Sequence, residues 1–116
     1  LDAGTPDYYH LVDRTKIPFQ RILDNITDAA QVRPLVIQSL FMRVSDVPVS
    51  EPEIDAYCDR LNDILRAGGR LRLVQVYTVA RTPAESYVGS LTDAEVDRIA
   101  ETVRTRTGLP TESYYA

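Results

Sequence analysis

A parallel α/β fold is predicted by three features of the chain. Two nearly continuous apolar runs, Leu35–Met42 and Leu71–Val79, have the length and β-branched content of strands inside a sheet. Around them lie three stretches with apolar residues at helical spacing and with start and stop signals at their ends. Strand centres near residues 38, 75 and 113 imply a unit of about 37 residues, as in successive βα modules joined by helical crossovers. The units do not repeat in sequence.

With 116 residues, 44% of them hydrophobic, the chain can bury one core but not two, so residues 1–116 are expected to be a single domain. The formal net charge of −4, with acidic and basic residues interspersed, gives no support to nucleic acid as a partner. No apolar run approaches the roughly 18 residues of a membrane span, and the amino end has no signal-peptide pattern. Together with a single cysteine, Cys58, this favours a cytoplasmic location. The chain starts at Leu1 rather than methionine, which is expected of a piece of a longer protein.

Leu1–Ala3 is the expected end of a strand, followed by Gly4 and Pro6 as turn residues, with Thr5 capping a short helical turn through Tyr9. A polar loop through Lys16 follows, containing the lone histidine, His10, which is expected to be solvated. Phe19, Ile22, Leu23, Ile26 and Ala30 predict a helix over 18–30, begun at Pro18 and blocked from continuing by Pro34. Leu35–Met42 is expected to be covered on both faces. Gln38 and Ser39 interrupt it, so each must either find an internal partner or face a ligand. The loop 43–49 is long, with Arg43 and Asp46 as exposed candidates.

Ser50 and Glu53 have the spacing of a capping box, Pro52 suits a first turn and Gly68 a stop, which predicts the next helix. Its stripe is Ile54, Tyr57, Cys58, Leu61, Ile64 and Leu65; within it Cys58 is read as a small core residue rather than a reactive or metal-binding thiol. The strand Leu71–Val79 again carries polar residues, Gln75 and Thr78. At its exit Arg81 can bind an anion or pair with Glu85. Thr92 and Glu95 form a second capping box, with Leu91 and Val96 as a hydrophobic staple, and Gly108 ends that helix. Thr111–Tyr115 is a short closing strand.

The residues carry no phosphate-binding glycine loop and no cluster-binding cysteine set. They do carry a resemblance. Gln75-Val-Tyr-Thr-Val-Ala-Arg-Thr-Pro-Ala-Glu85, with Val88, Leu91 and the helix from Asp93 to Ala100, resembles the carboxyl-terminal part of radical S-adenosylmethionine proteins related to wyosine-synthesis enzymes. Leu1-Asp-Ala-Gly-Thr5 and Val36-Ile-Gln-Ser-Leu-Phe41 resemble the fourth and fifth barrel strands of that family. The resemblance implies the carboxyl-terminal half of a partial (βα)6 TIM-like barrel, from the end of strand four through the last helix and a closing strand.

In such enzymes a [4Fe–4S] cluster cleaves S-adenosylmethionine to a 5′-deoxyadenosyl radical. The cysteine loop that holds the cluster has no counterpart here, and Arg-Thr-Pro replaces the family's Arg-Pro-Pro. The chain alone is therefore expected to be inactive and to bind neither group by itself, with the cofactors and the amino-terminal half belonging to a longer parent. What the resemblance implies for this chain is a cofactor wall made by Asp2, Gln38, Gln75, Tyr77, Thr78 and Arg81. The alternative expectation is a non-enzymatic α/β binding or assembly module. In both readings an open sheet favours a homo-oligomer.

Overall fold

In the computed structural model the described residues are 1–13, 15–79 and 87–116. Pro18 and Pro34 bracket the longest helix of the amino-terminal third for the reasons the sequence gives. The helix α2 runs over Phe19–Val32 with Pro18 at its N-cap, and Phe19, Leu23 and Ala30 are its buried face. Before it, α1 (Pro6–Val12) is capped by the Thr5 hydroxyl, which accepts from the Tyr8 N–H, and it extends past the single turn expected. His10 lies on this helix rather than in a loop, and it is exposed.

Three strands, β1 (Leu35–Phe41), β3 (Leu71–Thr78) and β5 (Thr111–Tyr114), form one parallel sheet in the order β1-β3-β5. Strand order thus follows chain order, with α3 (Glu51–Arg66) and α4 (Asp93–Thr107) as the two crossovers. A second, two-residue antiparallel ribbon joins β2 (Arg43–Val44) to β4 (Val88–Gly89). Its β2 end turns tightly at Ser45 and Asp46, both with positive φ, and Val44 and Val47 exchange two backbone hydrogen bonds across that turn.

Among the described residues the core lies on one side of the sheet. Ile37, Ser39 and Phe41 of β1 and Val74, Val76 and Thr78 of β3 point into it. They meet Tyr57, Leu61 and Ile64 of α3 and Val96, Ile99 and Val103 of α4. Each aliphatic or phenylalanine side chain among them, fully buried, contributes roughly 1.5–3 kcal/mol. The intervening residues of β1 face away from the helices: Gln38 and Leu40 are exposed and Val36 is half-buried. The expectation that β1 is covered on both faces is therefore corrected. A run apolar at both parities gives the same pattern whether one face or two are covered.

One register irregularity decides which side chains face which way. Leu35 pairs with Leu71, but Val36 pairs with Leu73, so Arg72 is an extra residue in β3. The parity of β3 changes there, and Leu73, Gln75 and Tyr77 are placed on the side away from the helices.

Helix ends follow the sequence signals with one exception. At α3, Gly68 has φ +87, and the N–H groups of Gly68 and Gly69 bond back to Leu65 and Ile64 in the Schellman arrangement. At α4, Thr92 and Glu95 cap each other reciprocally, and Leu91 and Val96 are both buried in the core beside that cap. At the start of α3, Ser50 accepts from the Glu53 N–H, but the Glu53 carboxylate does not return to Ser50. It is buried and bonds the Gly4 N–H and the Thr5 hydroxyl, the latter at 2.5 Å. The reciprocal capping box expected there is corrected to a half box, because two donors in a dry site are a stronger attraction for a carboxylate than one N–H at the surface.

That contact docks the amino-terminal segment onto α3. A Cβ at Gly4 would meet the Tyr57 and Ala56 backbone, with Tyr57 Cα at 2.6 Å. Leu1–Ala3 form no strand, contrary to expectation, although they lie beside β1. Burial, and secondarily the Glu53 charge, push the neighbouring Tyr8 hydroxyl up to about 12, so it stays neutral. The close approach yields a prediction. Gly4→Ala forces backbone apart from backbone and costs about 3 kcal/mol, the upper part of the overpacking range. Urea unfolding of the two forms measures it; equal midpoints would show that the segment is not docked in solution.

Candidate functional site

No described helix covers the other side of the sheet, and the side chains there form transverse rows fixed by register. Val36 stands beside Leu73; Gln38 beside Gln75 and Glu112; Leu40 beside Tyr77 and Tyr114. The second row is a hydrogen-bonded chain. Gln38 Nε2 donates to Gln75 Oε1 at 3.0 Å, and Gln75 Nε2 donates to Glu112 Oε1 and to the Tyr114 hydroxyl, each at 3.2 Å. The Tyr114 hydroxyl in turn donates to Glu112 Oε1 at 2.8 Å. The Tyr114 ring stacks on Tyr77 with centroids 4.5 Å apart and planes 8° from parallel.

At the outer edge of β1, Asp2 Oδ1 accepts from the Leu40 N–H at 2.8 Å, and the Leu1 nitrogen reaches the Gln38 carbonyl at 3.4 Å. Asp2, Gln38, Ser39, Leu40 and Tyr77 line an open depression of about 380 Å³ on this face. It offers a carboxylate, an amide and an aromatic flank, which suits a small polar ligand. Nearby, Asp13 is held above its usual range by burial and by the Asp2 charge.

Four of the six residues predicted to form a site are thus brought together: Asp2, Gln38, Gln75 and Tyr77. Thr78 is not among them. It points toward the helices, and its Oγ1 accepts from the Leu91 N–H at 2.9 Å, a structural role at the start of α4. Arg81, with Glu85, lies outside the described residues. Ser39 is also internal: its hydroxyl and that of Tyr57 are 2.6 Å apart in the core.

Two members of the face, Glu112 and Tyr114, are missed by a reading of the sequence one segment at a time. A signal for them does exist. Gln38 and Gln75 are 37 residues apart, and so are Gln75 and Glu112. In sheet strands built on a constant unit, residues one unit apart stand side by side.

Arg43, expected to be an exposed candidate, is committed elsewhere. Its guanidinium donates to both carboxylate oxygens of Glu95 at 2.8 Å, and its Nη1 reaches the Asp46 carbonyl at 3.2 Å. Glu95 is at the same time the returning half of the α4 capping box. The pair therefore ties the ribbon to the start of α4.

Cys58 is fully buried, and burial pushes its thiol up to about 11, so it stays protonated and is a poor metal ligand. Among the described residues no group of three or more His, Cys, Asp or Glu is placed to hold a metal ion, and no helix is long and apolar enough to cross a membrane. A [4Fe–4S] cluster, which needs several thiolates, does not fit these residues. Compared with models of protein families, with curated proteins and with solved structures, the chain matches none.

The Arg43–Glu95 pair gives a pH prediction. The Thr92 backbone N–H first, and the Arg43 guanidinium after it, hold the Glu95 carboxyl below its usual range. A carboxyl lowered by folding adds stability above its unfolded value, about 4.3, and loses it as pH falls through the lower folded value. Arg43→Ala is expected to cost at most about 1 kcal/mol near pH 7, given the partial exposure of both partners. That difference should shrink as urea unfolding is repeated toward pH 3; a difference independent of pH would assign it to lost packing.

Proposed function

We propose that this chain is the later part of a partial (βα)6 barrel and that its bare sheet face is one wall of an S-adenosylmethionine site in a radical-type enzyme. The observation that carries the reading is the gathering of Asp2, Gln38, Gln75 and Tyr77 on the face that the helices leave uncovered. Two further features agree with it: strand order that follows chain order, and a core confined to one side of the sheet. Both are expected of an arc cut from a barrel.

In this reading the chain's own residues bind and orient. Asp2 and Gln38 supply polar contacts at the depression, Tyr77 supplies a flat flank, and the Gln75–Glu112–Tyr114 network keeps them in place. When bound beside a cluster, S-adenosylmethionine supplies reductive carbon–sulfur cleavage. The cluster ligands would come from elsewhere in a longer polypeptide, and the chain alone is inactive. The substrate is read by parts of the protein outside these residues.

The test is made on the natural polypeptide that contains this chain. Anaerobic reconstitution with iron and sulfide, followed by reduction with dithionite, should give a [4Fe–4S]+ electron paramagnetic resonance signal that changes when S-adenosylmethionine is added. A reading frame with no three-cysteine loop upstream of Leu1 would overturn the proposal.

A second reading is favoured by the apolar part of the same face, where Leu40 is exposed and Val36, Leu73 and Tyr77 are only half-buried. Here the chain is an assembly module, and a second copy covers the sheet. Sedimentation of the 116-residue chain should then show concentration-dependent association; a compact monomer at high concentration would sink this alternative.

A further inference from the structure

The hydrogen-bonded row on the open face has a direction. Ionised Glu112 can only accept, so Gln75 must turn its NH2 group toward it. The Gln75 carbonyl oxygen then points at β1, and Gln38 must answer with its own NH2 group. The Gln38 carbonyl oxygen is thereby left out of the row, on a side chain that lines the depression together with Asp2. Asp2 has one carboxylate oxygen engaged by the Leu40 N–H, which leaves the other for the depression. Tyr114 reinforces the order, since its hydroxyl accepts from Gln75 and donates to Glu112 while its ring is held against Tyr77. A carboxylate two strands away thereby determines what the depression presents: two neighbouring acceptors.

We propose that this depression binds the edge of a ligand that carries two adjacent hydrogen-bond donors, and that Glu112 is the positioning residue that sets the preference. A vicinal diol and a primary ammonium group share that chemistry. Anionic and acceptor-only groups are disfavoured, because they would face the Asp2 carboxylate and the Gln38 oxygen. The inference needs only the face as it stands in this chain and does not rest on the radical-enzyme reading.

Polarity of this kind can be inverted. In a Glu112→Lys variant the ammonium can only donate, so the Gln75 oxygen turns to it and each amide along the row reverses. Gln38 would then offer its NH2 group to the depression. Position 112 is exposed, so the change is compatible with folding.

The experiment is a nuclear magnetic resonance titration of the chain, reading the Gln38 side-chain amide and the Leu40 backbone amide. Adenosine, 2′-deoxyadenosine, ethylammonium and acetate are the probes. The natural chain should respond to adenosine or to ethylammonium and not to acetate. Response to adenosine over 2′-deoxyadenosine identifies the diol as the donor edge, and response to ethylammonium identifies the amine. In Glu112→Lys the affinity for the donor probe should fall about fivefold, the worth of one neutral hydrogen bond, while acetate, which still faces the Asp2 carboxylate, should stay silent. Glu112→Gln, which can face either way, should give an intermediate loss. Acetate binding to the natural chain, silence with both donor probes, or an unchanged donor preference in Glu112→Lys would each overturn the proposal.

Discussion

The buried carboxylate of Glu53 holds the amino-terminal segment to the body of the protein, and the edge of the open face depends on it. Taking a carboxylate out of water is costly unless donors replace the water, and here the Gly4 N–H and the Thr5 hydroxyl do so. The arrangement is possible only because residue 4 lacks a Cβ, which lets one backbone lie against another at Tyr57. Thr5, fixed in this way, caps α1, and Tyr9 and Phe19 then pack with Leu23 into a small second core. On the other side of the clamp the chain runs back along β1, which brings Asp2 to the Leu40 N–H. Fold and candidate site are joined at that one acidic residue.

Much of the architecture was legible in the sequence because local and tertiary signals agree. The helix ends are written in Thr92-x-x-Glu95, Gly108, Pro34 and Gly68, and the parallel order follows from the spacing of the apolar runs. The misreadings share one cause, competition between a local and a distant partner. Ser50-x-x-Glu53 satisfies the capping pattern, but Gly4 and Thr5, nearly fifty residues earlier, win the carboxylate. Arg43 looks free within its own loop and is bonded to Glu95 on a different element. In β1, Val36 and Leu40 are as apolar as their core-facing neighbours, so composition could not tell that one face is bare.

The candidate site was legible in part for the same reason. Gln38 and Gln75 stand out as polar residues in apolar strands. Glu112 and Tyr114 sit in a short polar segment where nothing local marks them, and only the constant spacing between strands aligns them with the other two. The two sides of the sheet also divide the energetics. Side chains toward the helices are close-packed and carry the stability, whereas those on the bare face hold each other through exposed or half-exposed hydrogen bonds of modest net worth. Substitutions on the bare face can therefore alter chemistry while leaving folding nearly unchanged.

The extra residue at Arg72 acts on β3 much as a frameshift acts on a message. Upstream of it Leu71 is in phase with the helix side; downstream, every position is displaced by one. Deletion of that single residue would only make the ladder regular, with Leu71 and Leu73 side by side opposite Leu35 and Val36 and every later side chain on its present face. Drawing Arg72 into the ladder as a paired residue would instead send Gln75 and Tyr77 into the core and turn Val74 and Val76 outward, exchanging a polar surface for an aliphatic one. The identity of the open face is thus kept by one residue that the ladder leaves uncounted, rather than by the kind of residue at each position.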